Sequence, residues 1–468
     1  MTSDKTPRCP ATRGAGWTAA VLLCTALLAA GAAGPAAAQE QQAGRITFDR
    51  YTLPNGLTVV LSEDHAVPVV TVNVWYHVGS ANERLGRSGF AHLFEHMMFQ
   101  GSAHVKKSEH MQFVERAGGS MNGSTTEDRT NYFETLPSNR LNLGLWLEAD
   151  RMRSLAITPA NLENQRQTVK EERRLGVDNQ PYGRAFEVGP TLPFDSTSCF
   201  PYSHSVIGSM ADLDSAKVED VQAFFRQFYA PNNAVLTIVG DFDAAEARAL
   251  VQQYYGDIPR AEAAAPLQCR MQFGTGSRRL EMTDDKANLP LVALIYKAAA
   301  VNDADAPALE LLTTILGQGE SSRLNLRLVR QERAAVQSFG FGDLRRSAGL
   351  VMLAAIDNQG IPTARVEQLL NDEVDKVRND TIAQAELSKA QNQYRAGVVR
   401  QRQTSMGVAE ALQSALWFDG SLDAANTDIQ RHLAVTTADL RRVAQRYLTP
   451  ENRLTLIVNP PAQTGGGN

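Results

Sequence analysis

The chain has 468 residues, a net charge of −5, 43% hydrophobic and 21% charged residues. That length accommodates about two to four domains of ordinary globular composition. No Lys/Arg-rich stripe supplies the electrostatic footprint of a nucleic-acid binder, and beyond the N-terminus no run reaches the roughly 18 uninterrupted apolar residues a membrane span needs.

The first 38 residues read as a targeting segment. Lys5, Arg8 and Arg13 give a positive start, Trp17 to Ala30 a short apolar run, and Ala36-Ala37-Ala38 a small-residue cleavage pattern before Gln39. The expectation is an exported, soluble mature protein beginning near Gln39, in the periplasm of a Gram-negative bacterium. Removal of the segment leaves Cys199 and Cys269. An oxidising compartment permits a bridge between them, but sequence does not supply the geometry.

The mature chain opens with a predicted hairpin, Ile46–Leu53 and Leu57–Leu61, turning at Asn55-Gly56. A strand over Val69–His77 follows, then a helix carrying His92-Leu93-Phe94-Glu95-His96. An extended stretch from Gly119 to Leu136 leads to helices over Arg140–Ser154 and Pro159–Gly176. A second half offers a strand (Leu289–Tyr296), helices (Ala306–Leu316 and Ser321–Gln331), strands around Phe339 and over Val351–Ile356, and helical runs from Pro362 to Trp417.

The halves repeat one another. The strand after Pro68 matches the strand after Pro290, 222 positions on, and Tyr229-Ala230-Pro231-Asn232-Asn233 with its following strand matches Tyr447 to Asn452, 219 positions on. Two landmarks at nearly one offset indicate a duplicated unit of about 220 residues. The expected fold is α+β, each half a sheet backed by helices. The domains are expected at 39–265 and 266–461, followed by a disordered tail at 462–468.

His92, Glu95 and His96 carry the chemistry. Residues three and four apart share one helix face, so both imidazoles can grip one metal ion with the Glu95 carboxylate beside it. This HxxEH order is the reverse of the commoner metalloprotease HExxH. A catalytic zinc site takes three protein ligands and an open position. Glu172 is the candidate third ligand, with Glu171, Glu148, Glu127, His104 and His110 as rivals. A structural zinc site is disfavoured, because such sites are closed and Cys-rich.

Gly89 to Phe99 with Gly101-Ser102, Trp146 to Met152, Gly119-Ser120 with Asn122, and Tyr229 to Asn233 together resemble the pitrilysin-type metallopeptidases. This is the inverzincin family that includes the mitochondrial processing peptidase, and the resemblance spans nearly all of the mature chain. It implies Glu172 as third ligand, one Zn2+ per chain, Glu95 as general base, and a two-domain clamshell around a chamber that admits peptides or unfolded proteins. It also implies that substrate pairs with a sheet edge at Asn122, Gly123, Ser124 and Thr125.

Two positions depart from the family. Active single-chain members resemble one another in a second-half Arg followed seven positions later by Tyr. Arg330 stands at the first position, but Gln337 at the second. An accessory Glu seven residues before the third ligand falls on Gln165. Loss of one oxyanion donor costs about 10²–10³ in rate. The implied remedy is a homologous partner subunit supplying an intact Arg/Tyr pair. The competing reading is an impaired member serving as a binding or assembly subunit.

Overall fold

A computed structural model describes residues 44–462. The targeting segment expected over 1–38 and nearly all of the expected tail lie outside them. Residues 46–462 form one compact unit.

In chain order the first half holds β1 (Asp49–Thr52), β2 (Thr58–Glu63), β3 (Val69–Tyr76), α1 (Phe90–Met97), α2 (Glu109–Arg116), β4 (Ser120–Thr125) and β5 (Thr130–Pro137). Next come α3 (Leu141–Ser154), α4 (Pro159–Arg173), α5 (Gly183–Val188), α6 (Met210–Ser215), α7 (Val218–Phe228), β6 (Ala234–Gly240) and α8 (Ala244–Tyr255). The second half holds β7 (Arg278–Thr283), β8 (Leu291–Ala298), α9 (Ala306–Gly317), β9 (Ala335–Leu344) and β10 (Gly349–Asp357). It closes with α10 (Thr363–Asn379), α11 (Gln384–Gln401), α12 (Ser405–Phe418), α13 (Ala424–Leu433), α14 (Thr437–Tyr447) and β11 (Arg453–Asn459).

The strand orders are β1-β2-β6-β3-β5-β4 and β7-β11-β8-β10-β9. Apart from the added β1 they are one topology twice, including the same parallel pair, β2 with β6 and β7 with β11. The repeated Asn does one job in both halves. Asn233 Nδ2 donates to the carbonyls of Phe228 (2.9 Å) and His77 (3.4 Å). Asn452 Nδ2 does the same to those of Tyr447 (2.7 Å) and Lys297 (2.8 Å). Each amide therefore ties a helix end to the end of the central strand, which is why the motif was visible in the sequence.

Some predicted boundaries move. Gly119–Leu136 is a hairpin rather than one extended run, because β4 and β5 pair across the turn at 126–129. The helix predicted to Gly176 ends at Arg173 and loosens into a π turn over Arg174–Asp178, and the one predicted to end at Gln331 is π-wound over Asn325–Gln331. Strand β7 and helices α2, α5, α6, α8 and α13 had no predicted counterpart.

Both central strands alternate between two buried faces. Val70, Val72, Val74 and Tyr76 join the core under α1, α3 and α8. Thr71, Asn73 and Trp75 point the other way, where α12 of the second half lies: Thr71 Oγ1 is 2.7 Å from Ser405 Oγ, and Gln413 Nε2 donates to the Val235 carbonyl at 3.0 Å. The favour is returned. Phe194, Cys199 and Tyr202 of the first half pack on Leu291, Ala293 and Ile295 of β8. A disulfide joins Cys199 to Cys269, fastening that covering segment to the chain entering the second half. Each sheet is thus sealed by polypeptide from the other half, and the near-continuous apolar runs in the central strands follow from burial on both faces.

The helical layer of the second half contains a charged histidine. The His432 ring is 3% exposed, with Nε2 2.9 Å from Glu310 Oε2 and Nδ1 3.4 Å from Asp428 Oδ1. Burial opposes its charge, but the two carboxylates prevail and raise its pKa to about 9. A raised histidine stabilises fully below its unfolded value near 6.5 and loses that contribution as pH rises through about 9. His432→Gln should therefore cost up to about 3 kcal/mol near pH 6 and far less near pH 10. Denaturant midpoints across that range check it; a deficit that grows with pH contradicts it.

Candidate metal centre

Helix α1 buries Phe90, Leu93, Phe94 and Met97 and turns His92, Glu95 and His96 to the opposite, partly exposed face. Its start is fixed twice. The Gly89 and Ala91 amides donate to the buried Glu83 carboxylate at 2.9 and 2.7 Å, filling the open donors of a helix N-terminus. Gly89 sits at φ +83°, where a Cβ would come 2.7 Å from the Ile207 carbonyl oxygen, so only glycine allows the chain to pass.

Glu172 arrives on the last turn of α4. That helix begins with Thr158 accepting from the Asn161 amide at 3.2 Å and Pro159 in its first turn. Its far end is pinned by Arg173, which pairs with Glu187 at 2.9 Å and donates to the Gly208 carbonyl at 2.9 Å. Gly208 is also the neighbour against which Gly89 packs. The two helices are therefore registered through one contact point.

The outcome is a convergence. His92 Nε2 lies 3.7 Å and His96 Nε2 3.2 Å from the Glu172 carboxylate oxygens. One ligand-capable atom from each of the three residues falls within 4.8 Å of the others. Burial, then His96, pushes the His92 pKa down to about 4, leaving a neutral imidazole. The hydrogen bond with His96 keeps Glu172 below the usual carboxylate range. Two imidazole nitrogens and one carboxylate oxygen suit a divalent zinc ion. Glu95 sits beside them, its pKa raised by burial and restrained by the Thr125 hydroxyl, which donates to Oε2 at 2.6 Å.

The rivals for third ligand are engaged elsewhere. Glu171 pairs with Arg174 at 3.0 Å, Glu127 with Arg345 at 3.0 Å, and His104 with Asp150 at 2.6 Å. His110, Glu134 and Glu148 form a second, fully buried group of three, but Arg151 donates to Glu148 Oε2 at 2.8 Å and supplies the cation there.

Strand β4 is the sheet edge expected to take substrate, and it carries Asn122, Gly123, Ser124 and Thr125. Asn122 is exposed, but the Thr125 hydroxyl turns to Glu95, a role that sequence reasoning missed because strand alternation does not reveal which group a hydroxyl meets. Arg330 bonds Glu320 at 2.5 Å and Asn325 at 3.4 Å, both within its own half. Gln337 is exposed on β9, opposite Ile356. Gln165 is buried and donates to Asn164 at 2.8 Å.

Residues 58–185 match the insulinase family, peptidase family M16, and residues 215–394 match the peptidase M16 inactive domain. The chain is 31% identical over 418 residues to the zinc protease PqqE of Helicobacter pylori, covering 88% of this chain and 93% of that protein. It is 26% identical over 265 residues to the mitochondrial-processing peptidase subunit beta of Blastocladiella emersonii, covering 57% and 56%. The crystal structure of a protease from Helicobacter pylori superposes with a TM-score of 0.84 at 30% identity, covering 89% of this chain and all of that one. With one sheet topology repeated and two histidines and a glutamate gathered on its first half, the chain belongs to peptidase family M16, the family of these zinc proteases.

Proposed function

We propose that this chain is a zinc-dependent endopeptidase, or the zinc-bearing subunit of one, that cuts extended peptides and unfolded proteins in the periplasm. The observation that carries this reading is the convergence of His92, His96 and Glu172 with Glu95 alongside. His92 Nε2, His96 Nε2 and the Glu172 carboxylate would hold the ion. Zinc bound there supplies Lewis acidity and brings the pKa of a ligated water to about 7.

The rest falls to the protein. Glu95 accepts the proton of the attacking water and hands it to the leaving amine. The free edge of β4 offers backbone groups that pair with an extended substrate, recognising shape more than sequence. Gln337 stands where the resemblance calls for Tyr, so we assign oxyanion support to an Arg/Tyr pair on a homologous partner chain. No helix among the described residues is long and apolar enough to cross a membrane.

Elemental analysis tests the ion: about one zinc per chain is expected, lost in His96→Ala. Assays of the chain alone and with its partner test the division of labour, the partner raising the rate by about 10²–10³. Full activity alone, unchanged by the partner, refutes that division. A folded chain that takes up no zinc refutes the peptidase reading and leaves a binding or assembly subunit.

A further inference from the structure

Helix α12 belongs to the half that contributes nothing to the metal cluster, yet its Glu410 reaches across to the first sheet. Asn73 Nδ2 and Asn131 Nδ2 each donate to Glu410 Oε1 at 2.8 Å, and Trp75 Nε1 donates to the same oxygen at 3.2 Å. The three donors are 0%, 1% and 2% exposed. A carboxylate oxygen held by three buried donors is fixed in place, unlike a surface ion pair.

From Asn131 the contacts lead to the cluster. Asn131 lies opposite Ser124 in the β4–β5 ladder, and its Oδ1 accepts from Ser124 Oγ at 2.7 Å and Arg129 Nη1 at 3.2 Å. Arg129 also donates to the Ser124 carbonyl at 2.9 Å and sits 5.0 Å from the centre of the Trp75 ring. The next residue is Thr125, whose hydroxyl holds Glu95. Strand β4 is an edge, paired to the sheet through β5 alone. Its C-terminal end is therefore steadied by Asn131 and Arg129, and Asn131 by Glu410.

We propose that Glu410 is a positioning residue: the second half, through this one carboxylate, holds the end of β4 and hence Thr125 in the place from which Glu95 is oriented. Its catalytic consequence rests on the peptidase reading above; its structural consequence does not. If Glu410 merely glued the halves, its loss would lower stability and leave the folded enzyme unaltered.

The test compares Glu410→Ala, Glu410→Gln and Ser405→Ala in the zinc-loaded chain with its partner. Ser405 lies on the same helix and touches Thr71, but is not on the path to Glu95. Amide exchange over residues 120–130 should quicken about tenfold in Glu410→Ala, the loss expected of a hydrogen bond to a charged group. Its kcat should fall about 10- to 100-fold with KM and zinc content little changed, since small misplacement of a catalytic group has that effect. Glu410→Gln keeps the accepting oxygen and should restore most of both; Ser405→Ala should disturb neither. Should Glu410→Ala fail to fold, Glu410→Asp withdraws the carboxylate by one methylene and should show the same two changes. Unchanged exchange in a folded Ala or Asp variant overturns the proposal, as does a Gln variant no better than Ala. Because exchange is read without substrate, a parent chain that cleaves nothing sinks the peptidase reading and leaves this one to be decided by exchange.

Discussion

Glu95→Gln should leave the zinc in place and lower peptide hydrolysis about 10²- to 10⁴-fold, the usual worth of general acid–base catalysis. The glutamine keeps the side chain's length and an oxygen to accept from Thr125, which now donates at 2.6 Å. It cannot take a proton. Glu95 also stands on the face shared with His92 and His96 without closing toward them as Glu172 does, at 3.2 and 3.7 Å from the two imidazoles. Its removal should therefore spare metal content, whereas Glu172→Gln should weaken zinc retention and activity together. Zinc by elemental analysis beside kcat on an unfolded peptide separates the two roles. A Glu95→Gln enzyme turning over at the parent rate would remove Glu95 as the base, and one lacking zinc would make it a ligand instead.

What the sequence disclosed was local periodicity. HxxEH declares a shared helix face because three and four residues span one turn, and Asn55-Gly56 declares a hairpin because Gly56 must adopt φ +95°. The repeat was legible because Asn233 and Asn452 perform the same tie. Residue type alone did not separate Glu172 from Glu171, and only the spacing of the resembled family did; physically the packing of α4 against α1 makes the difference, and that depends on Gly89 meeting Gly208, far apart in sequence. The same limit hid Glu410 and the bond from Thr125 to Glu95. A glutamate on an amphipathic helix reads as solvated until the opposite sheet offers Asn73, Trp75 and Asn131. The covering of each sheet by the other half also left no local mark, since a doubly buried strand looks alike whichever segment buries it.

The largest stability effect should come from Arg151→Met. Arg151 is 1% exposed, bonded to Glu148 and placed 4.4 Å from the centre of the Tyr132 ring. Glu134 and Glu148 are wholly buried, and burial lifts both carboxyl groups to about 7 even with this guanidinium opposing the shift. Methionine matches the length of the arginine stem but carries no charge, so Glu148 would be left buried without a counter-ion. The expected loss is about 3–5 kcal/mol. Its pH dependence has a definite sign. A carboxyl raised in the folded state keeps its proton where the unfolded chain, near 4.5, has released it, so stability falls as pH rises from 4.5 toward the folded value. Without Arg151 the folded values climb further, so the deficit should stay level below about pH 6 and widen as pH rises through about 7. Replacing both partners, Glu148→Met with Arg151→Met, removes the stranded charge and should be milder than the single change. Denaturant midpoints at constant m-value measure all three proteins. A double variant less stable than Arg151→Met, or a deficit that shrinks with rising pH, would show that the guanidinium is not what compensates these carboxylates.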